Sequence, residues 1–103
     1  MFVARWQIDA RFGHKQTVID LLQKWEREVG TKAGTGNMAF KILTGSIGAR
    51  EATVEANHSV DSMAQLEQFF TAIGTNDAHR QWGRDLEPYV VSGSAVWTIY
   101  RAV

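Results

Sequence analysis

Polar and apolar positions alternate from the start of the chain. Phe2, Ala4, Trp6 and Ile8 fall on one side, and Val3, Arg5, Gln7 and Asp9 on the other. A period of two marks a half-buried strand and predicts the first one over Phe2–Asp9. Beyond Gly13 the period changes: Val18, Leu21, Leu22, Trp25 and Val29 recur at helical spacing, with Asp20, Gln23, Lys24, Arg27 and Glu28 outside the stripe. Gly30 stands where a left-handed residue would end this helix. The glycine-rich stretch Thr31–Asn37 reads as a loop. Two more strand patterns follow, Met38–Thr44 and Glu51–Ser59, joined through Thr44-Gly45-Ser46-Ile47-Gly48. A second helical stripe, Met63/Leu66/Phe70/Ile73, is preceded by Asp61 and Ser62 as caps, with Gln65 completing a capping box. A short third helix over Asn76–Leu86 is capped by Asn76 or Asp77 and stopped by Pro88, with His79, Trp82 and Leu86 on one face. Ala95–Val103 is the last strand.

Strand, helix, strand, strand, helix, strand is the order of a split βαβ sandwich, an α+β fold of the ferredoxin-like βαββαβ kind. One domain over residues 1–103 is expected. The four strands should form one antiparallel sheet in the order 4-1-3-2, with both long helices on one face and the extra short helix before the last strand. Trp6, Phe40, Val54, Leu22, Trp25, Leu66 and Phe70 are the expected core. Two helices leave the other sheet face open. That face should carry Arg5, Gln7, Asp9, Lys41, Leu43, Glu55 and Asn57, and Arg5, Lys41 and Glu55 should pair there. The last strand is apolar on both parities, Ala95/Trp97/Ile99/Val103 against Val96/Thr98/Tyr100. Apolar residues on the open face point to a second, semi-buried surface.

Composition narrows the chemistry. Lysine plus arginine and aspartate plus glutamate number 11 each in 103 residues, and neither sign is clustered. No basic stripe marks a nucleic-acid partner. Cysteine is absent, which excludes disulfides, thiolate metal sites and thiol nucleophiles. His14, His58 and His79 lie on different elements without metal-ligand spacing, so no metal is expected. No apolar stretch has the length of a membrane span, and Met1–Trp6 carries no secretion signal, so a cytoplasmic location is expected.

The element order, the short helix around His79 and Trp82, and a terminal strand with Trp97 and Tyr100 that ends Arg101-Ala102-Val103 resemble the dimeric α+β barrel superfamily. The resemblance covers the whole chain. It implies a homodimer in which two subunits pack their open sheet faces together. The superfamily includes cofactor-independent, antibiotic-biosynthesis-type monooxygenases, haem-degrading monooxygenases and small proteins of unassigned activity. In the haem-degrading branch a helix histidine, an upstream tryptophan and a first-strand asparagine form the haem site. Here His79 matches the histidine, Phe69 stands near the tryptophan position, and the first strand offers Arg5 and Gln7 but no asparagine. Haem is therefore the minor alternative, and no cofactor is expected.

The chemistry-bearing candidates are His79 and His58. His58 shares the parity of Val54 and Ala56, toward the helices, where burial shifts an imidazole pKa and suits it to act as a base on an acidic phenol or enol. Phe69, Trp82 and Tyr100 are the expected ligand-binding residues of a small-molecule pocket beside the third helix. By residue type alone, Trp82 reads first as a packing residue and His79 as a surface or rim histidine. A metal-free monooxygenase-like enzyme and a non-catalytic ligand-binding or structural dimer are the two functional readings.

Overall fold

The computed structural model describes all residues, 1–103. Strands β1 (Phe2–Asp9), β2 (Lys41–Thr44), β3 (Thr53–Val60) and β4 (Val96–Arg101) form one antiparallel sheet in the order β2-β3-β1-β4. Helices α1 (Lys15–Trp25), α2 (Met63–Gly74) and α3 (Asp77–Leu86) lie on one of its faces. The expected strand order and helix placement are those observed. No helix is long and apolar enough to cross a membrane.

Register explains which side chains meet. Trp6 of β1 stands opposite Trp97 of β4 and Ala56 of β3, and Ala4 stands opposite Ile99 and His58. Directly paired residues share a face, so Trp97, Ile99, Ala56 and His58 all point toward the helices. Arg5, Gln7, Glu55, Asn57, Val96 and Tyr100 point the other way. Beneath the helices the core divides into two buried groups. One holds Trp25, Val29, Leu66 and Phe69, and the other Ile8, Val18, Leu22 and Val54.

Four local expectations are revised. Gly30 does not end the first helix: its φ is −59°. The chain continues from α1 through a π-helical turn, Glu26–Gly30, and one further turn, Thr31–Ala33, until Gly34 takes the left-handed conformation at φ 102°. Thr31–Asn37 is accordingly ordered structure, with Thr35 buried and its hydroxyl donating to Glu26 Oε1 at 2.8 Å. β2 begins at Lys41 because Ala39, at φ 45°, turns the chain out of the ladder. Phe69 rather than Phe70 fills the core, at 1% exposure against 37%. The buried stripe of α2 runs Leu66, Phe69, Ile73, and Phe70 leans over the sheet edge onto Trp97, edge to face at 5.0 Å.

The open face carries a compact polar network. Glu55, 6% exposed, receives both ends of the Arg5 guanidinium, the Gln7 amide at 2.9 Å and the Asn57 amide at 3.1 Å. Arg5 holds the Glu55 carboxyl below the usual range, and Glu55 raises Arg5 in return. Lys41 is exposed and takes no part. Around this network Leu43, Val96 and Tyr100 are exposed.

Candidate functional site

All four tryptophans of the chain converge on one cavity of about 210 Å³ between the sheet and the helices. Trp6 and Trp97 come from adjacent strands, Trp25 from the end of α1 and Trp82 from α3. Leu22, Ala56, His58, Ile73 and His79 complete the lining. Ala56, the small residue opposite Trp6, leaves space where a larger side chain would fill the layer.

Hydrogen bonds fix the helical walls. Asn76 caps α3 by accepting from the His79 backbone N–H at 3.0 Å, which seats His79 in the first turn. The Trp25 indole N–H donates to His79 Nδ1 at 2.9 Å, and the Trp82 indole N–H donates to the Leu21 carbonyl at 2.7 Å. His79 stacks on Trp82 with ring centroids 5.9 Å apart. These contacts commit both helical indole donors. They also make Nδ1 of His79 an acceptor, so the neutral ring carries its proton on Nε2. Burial lowers the His79 pKa.

His58 is in a different condition. It is 2% exposed, enclosed by Phe40 at 5.0 Å, Phe69 at 5.1 Å and Trp97 at 5.8 Å, and neither ring nitrogen has a hydrogen-bond partner. Burial pushes its pKa down to about 4; the backbone of Ala4, its register partner, opposes the shift without closing a hydrogen bond. An orphaned buried polar group costs about 1–3 kcal/mol. The ring is part of the cavity wall while both nitrogens are covered, so a rotation of the imidazole is what would present one of them to a bound molecule.

The candidates from sequence thus divide. His58, His79 and Trp82 line the cavity together. Phe69 lies outside the lining and packs behind His58. Tyr100 is on the opposite sheet face, 52% exposed, with the Arg5 guanidinium 5.4 Å from its ring centre; its strand parity, set by pairing with Val3, keeps it from the cavity. Trp6, Trp25 and Trp97, with Leu22, Ala56 and Ile73, are the lining residues that sequence reasoning missed. Trp6 carried a signal in its parity on β1 and Trp25 in its place on the inward stripe, whereas Trp97 carried none, because both parities of β4 are apolar and only pairing with Trp6 turns it inward.

The chemistry of the lining is specific. It contains no carboxylate, lysine or arginine, so it suits an uncharged molecule with apolar ring faces and a few polar atoms. A cavity of about 150 Å³ holds benzene, and drug-sized ligands need roughly 300 Å³ or more, which points to one or two rings here. Haem does not fit that volume. No group of three or more histidine, aspartate or glutamate side chains is placed to hold a metal ion.

No protein-family model and no curated protein matches the chain. Solved structures do. A NIPSNAP family protein of Agrobacterium tumefaciens is similar at TM-score 0.73 and 14% identity, over 99% of this chain and 92% of that one. An uncharacterised NIPSNAP domain protein of Burkholderia xenovorans gives TM-score 0.75 at 10% identity, over 100% and 95%. A candidate antibiotic biosynthesis monooxygenase of Nitrosomonas europaea gives 0.72 at 10% identity, over 100% and 99%. These likenesses show the fold, a ferredoxin-like α+β fold.

Proposed function

We propose that the tryptophan-lined cavity binds a one- or two-ring hydroxyarene or related enol, and that the protein is a monooxygenase-like enzyme requiring no metal or organic cofactor. The observation that carries this reading is His58: a neutral imidazole in the cavity wall with both nitrogens unpartnered, one of which a ring rotation would turn toward a ligand. Its low pKa keeps it unprotonated at neutral pH and ready to accept the ligand's hydroxyl proton. As a base of pKa about 4 it is weak toward a phenol. Proton transfer therefore depends on the imidazolium and the aryloxide remaining paired in a low-dielectric site.

An aryloxide is electron-rich enough to reduce dioxygen, the co-substrate, directly. For a hydroxyarene with a free para position, the O–H bond and the para C–H bond break. One oxygen atom becomes a second ring carbonyl, and the other leaves as water with both hydrogens. The ring loses four electrons and dioxygen gains four. His58 carries the hydroxyl proton from substrate to departing oxygen. Trp6, Trp25, Trp82 and Trp97 hold the ring plane and exclude water.

The weakness of His58 as a base also favours a second reading, in which the cavity binds such a molecule without transforming it. Dioxygen uptake separates the two. Full-length protein incubated with 1-naphthol should consume oxygen in proportion to quinone formed, and His58→Leu should not. Binding without oxygen uptake supports the second reading, and absence of binding defeats both.

The open sheet face supports a homodimer, as the resemblance implies: exposed Leu43, Val96 and Tyr100 border a polar network whose members already satisfy one another. One domain in a cytoplasmic protein is the setting that goes with this reading.

A further inference from the structure

Trp25 is a cavity wall held at both edges. Its indole N–H is tied to His79 Nδ1 at 2.9 Å. Its benzo edge lies against Gly30: a Cβ on Gly30 would stand 2.9 Å from Trp25 Cζ3, 2.6 Å from Glu26 Oε2 and 3.0 Å from Thr35 Oγ1. The φ of Gly30, −59°, is open to any residue. Space, rather than backbone conformation, therefore requires glycine here. The close approach is made by the π-helical turn Glu26–Gly30, a widened turn of the kind found often at functional sites. The bond from Thr35 to Glu26 Oε1 pins that turn from outside, leaving Oε2 buried without a partner.

We propose that Gly30, acting through Trp25, sets the width of the cavity and so the ring size of the molecule it admits. Gly30 is a positioning residue, and Trp25 is the wall that touches the ligand. The inference rests on the reading of the cavity as a binding site. A methyl group at position 30 drives the benzo edge of Trp25 away. Phe40 and Phe69 already pack against the indole, with centroids at 6.1 and 6.2 Å. With its N–H held by His79, the ring pivots toward the cavity that it lines, between Trp82 at 6.1 Å and His58 at 6.3 Å.

Calorimetric titration of the full chain with phenol and 1-naphthol tests this. Wild type should bind both. Gly30→Ala should weaken 1-naphthol by about tenfold or more and phenol by less than about threefold. The double variant Gly30→Ala/Trp25→Phe should recover 1-naphthol binding to within about threefold of wild type, because phenylalanine lacks the ring edge that the new methyl meets. General loosening of the fold would not be rescued in this way. Unchanged 1-naphthol binding in Gly30→Ala, or an equal loss for both compounds, would overturn the proposal. If Gly30→Ala does not fold, Trp25→Phe alone decides: it should admit the three-ring 2-anthrol that wild type rejects, and continued rejection overturns the inference. Wild type binding neither phenol nor 1-naphthol defeats the underlying reading of the cavity instead, and the inference with it.

Discussion

The indole N–H of Trp25 donates to Nδ1 of His79 across 2.9 Å, joining the end of α1 to the first turn of α3 at the cavity. The bond exists only while Nδ1 carries a lone pair. Protonating His79 places a second hydrogen on the ring and turns that acceptor into a donor.

Acid should therefore open this contact. Burial lowers the His79 pKa below 6.5, so the neutral, bonded form persists at neutral pH and is lost only as the pH falls below that ordinary value. The Trp25 indole N–H resonance, followed by NMR, should shift with a midpoint below pH 6.5. A midpoint at or above pH 6.5 would show that burial does not govern this histidine.

His58 makes a stability prediction whose sign is unusual for a histidine. Its folded pKa, about 4, lies below the unfolded value near 6.5. Between those values the unfolded chain binds more protons, so stability rises with pH across this window and is fully present above it. The span corresponds to about 3 kcal/mol. Replacing the unsatisfied ring by an apolar side chain of similar size, His58→Leu, should stabilise the protein at pH 5 by roughly 1–3 kcal/mol. It should also flatten the pH dependence of urea unfolding between pH 4 and 6.5. Equal slopes in both proteins would mean that His58 finds a partner or titrates normally.

The open sheet face should be covered by a second copy. Light scattering at micromolar concentration should give twice the 11.5 kDa chain mass. The double variant Leu43→Arg/Val96→Glu, which places charges on that face, should give a single chain. A monomeric wild type would leave the exposed Leu43, Val96 and Tyr100 without this explanation.

Much of this architecture was legible because periodicity reports which face a residue occupies. The alternation of β1 placed Trp6 inward and Arg5 outward, and Asn76 announced the helix that carries His79. What sequence could not show depends on neighbours distant along the chain. Phe69 and Phe70 are both compatible with a helical stripe, and only the packing of α2 against the sheet selects Phe69. Gly30 carries the usual mark of a helix end, yet its role follows from the Trp25 ring lying against it. Trp6 and Trp25 were recognisable as core residues. That they border a void depends on the small Ala56 opposite Trp6 and on the bonds holding Trp25 and Trp82 back. Tyr100 was misplaced because both parities of β4 are apolar, and only its register with β1 resolves them.

If His58 recognises a hydroxyl proton inside the tryptophan-lined cavity, one comparison isolates that contact. Calorimetry should measure 1-naphthol and its methyl ether, 1-methoxynaphthalene, against wild type and His58→Leu. The two compounds share their ring surface and differ in the proton that the imidazole accepts. Wild type should prefer 1-naphthol by about tenfold or more, and His58→Leu should lose that preference while still binding the ether. Equal affinities in wild type, or a preference for 1-naphthol that survives in His58→Leu, would mean that His58 does not read the hydroxyl.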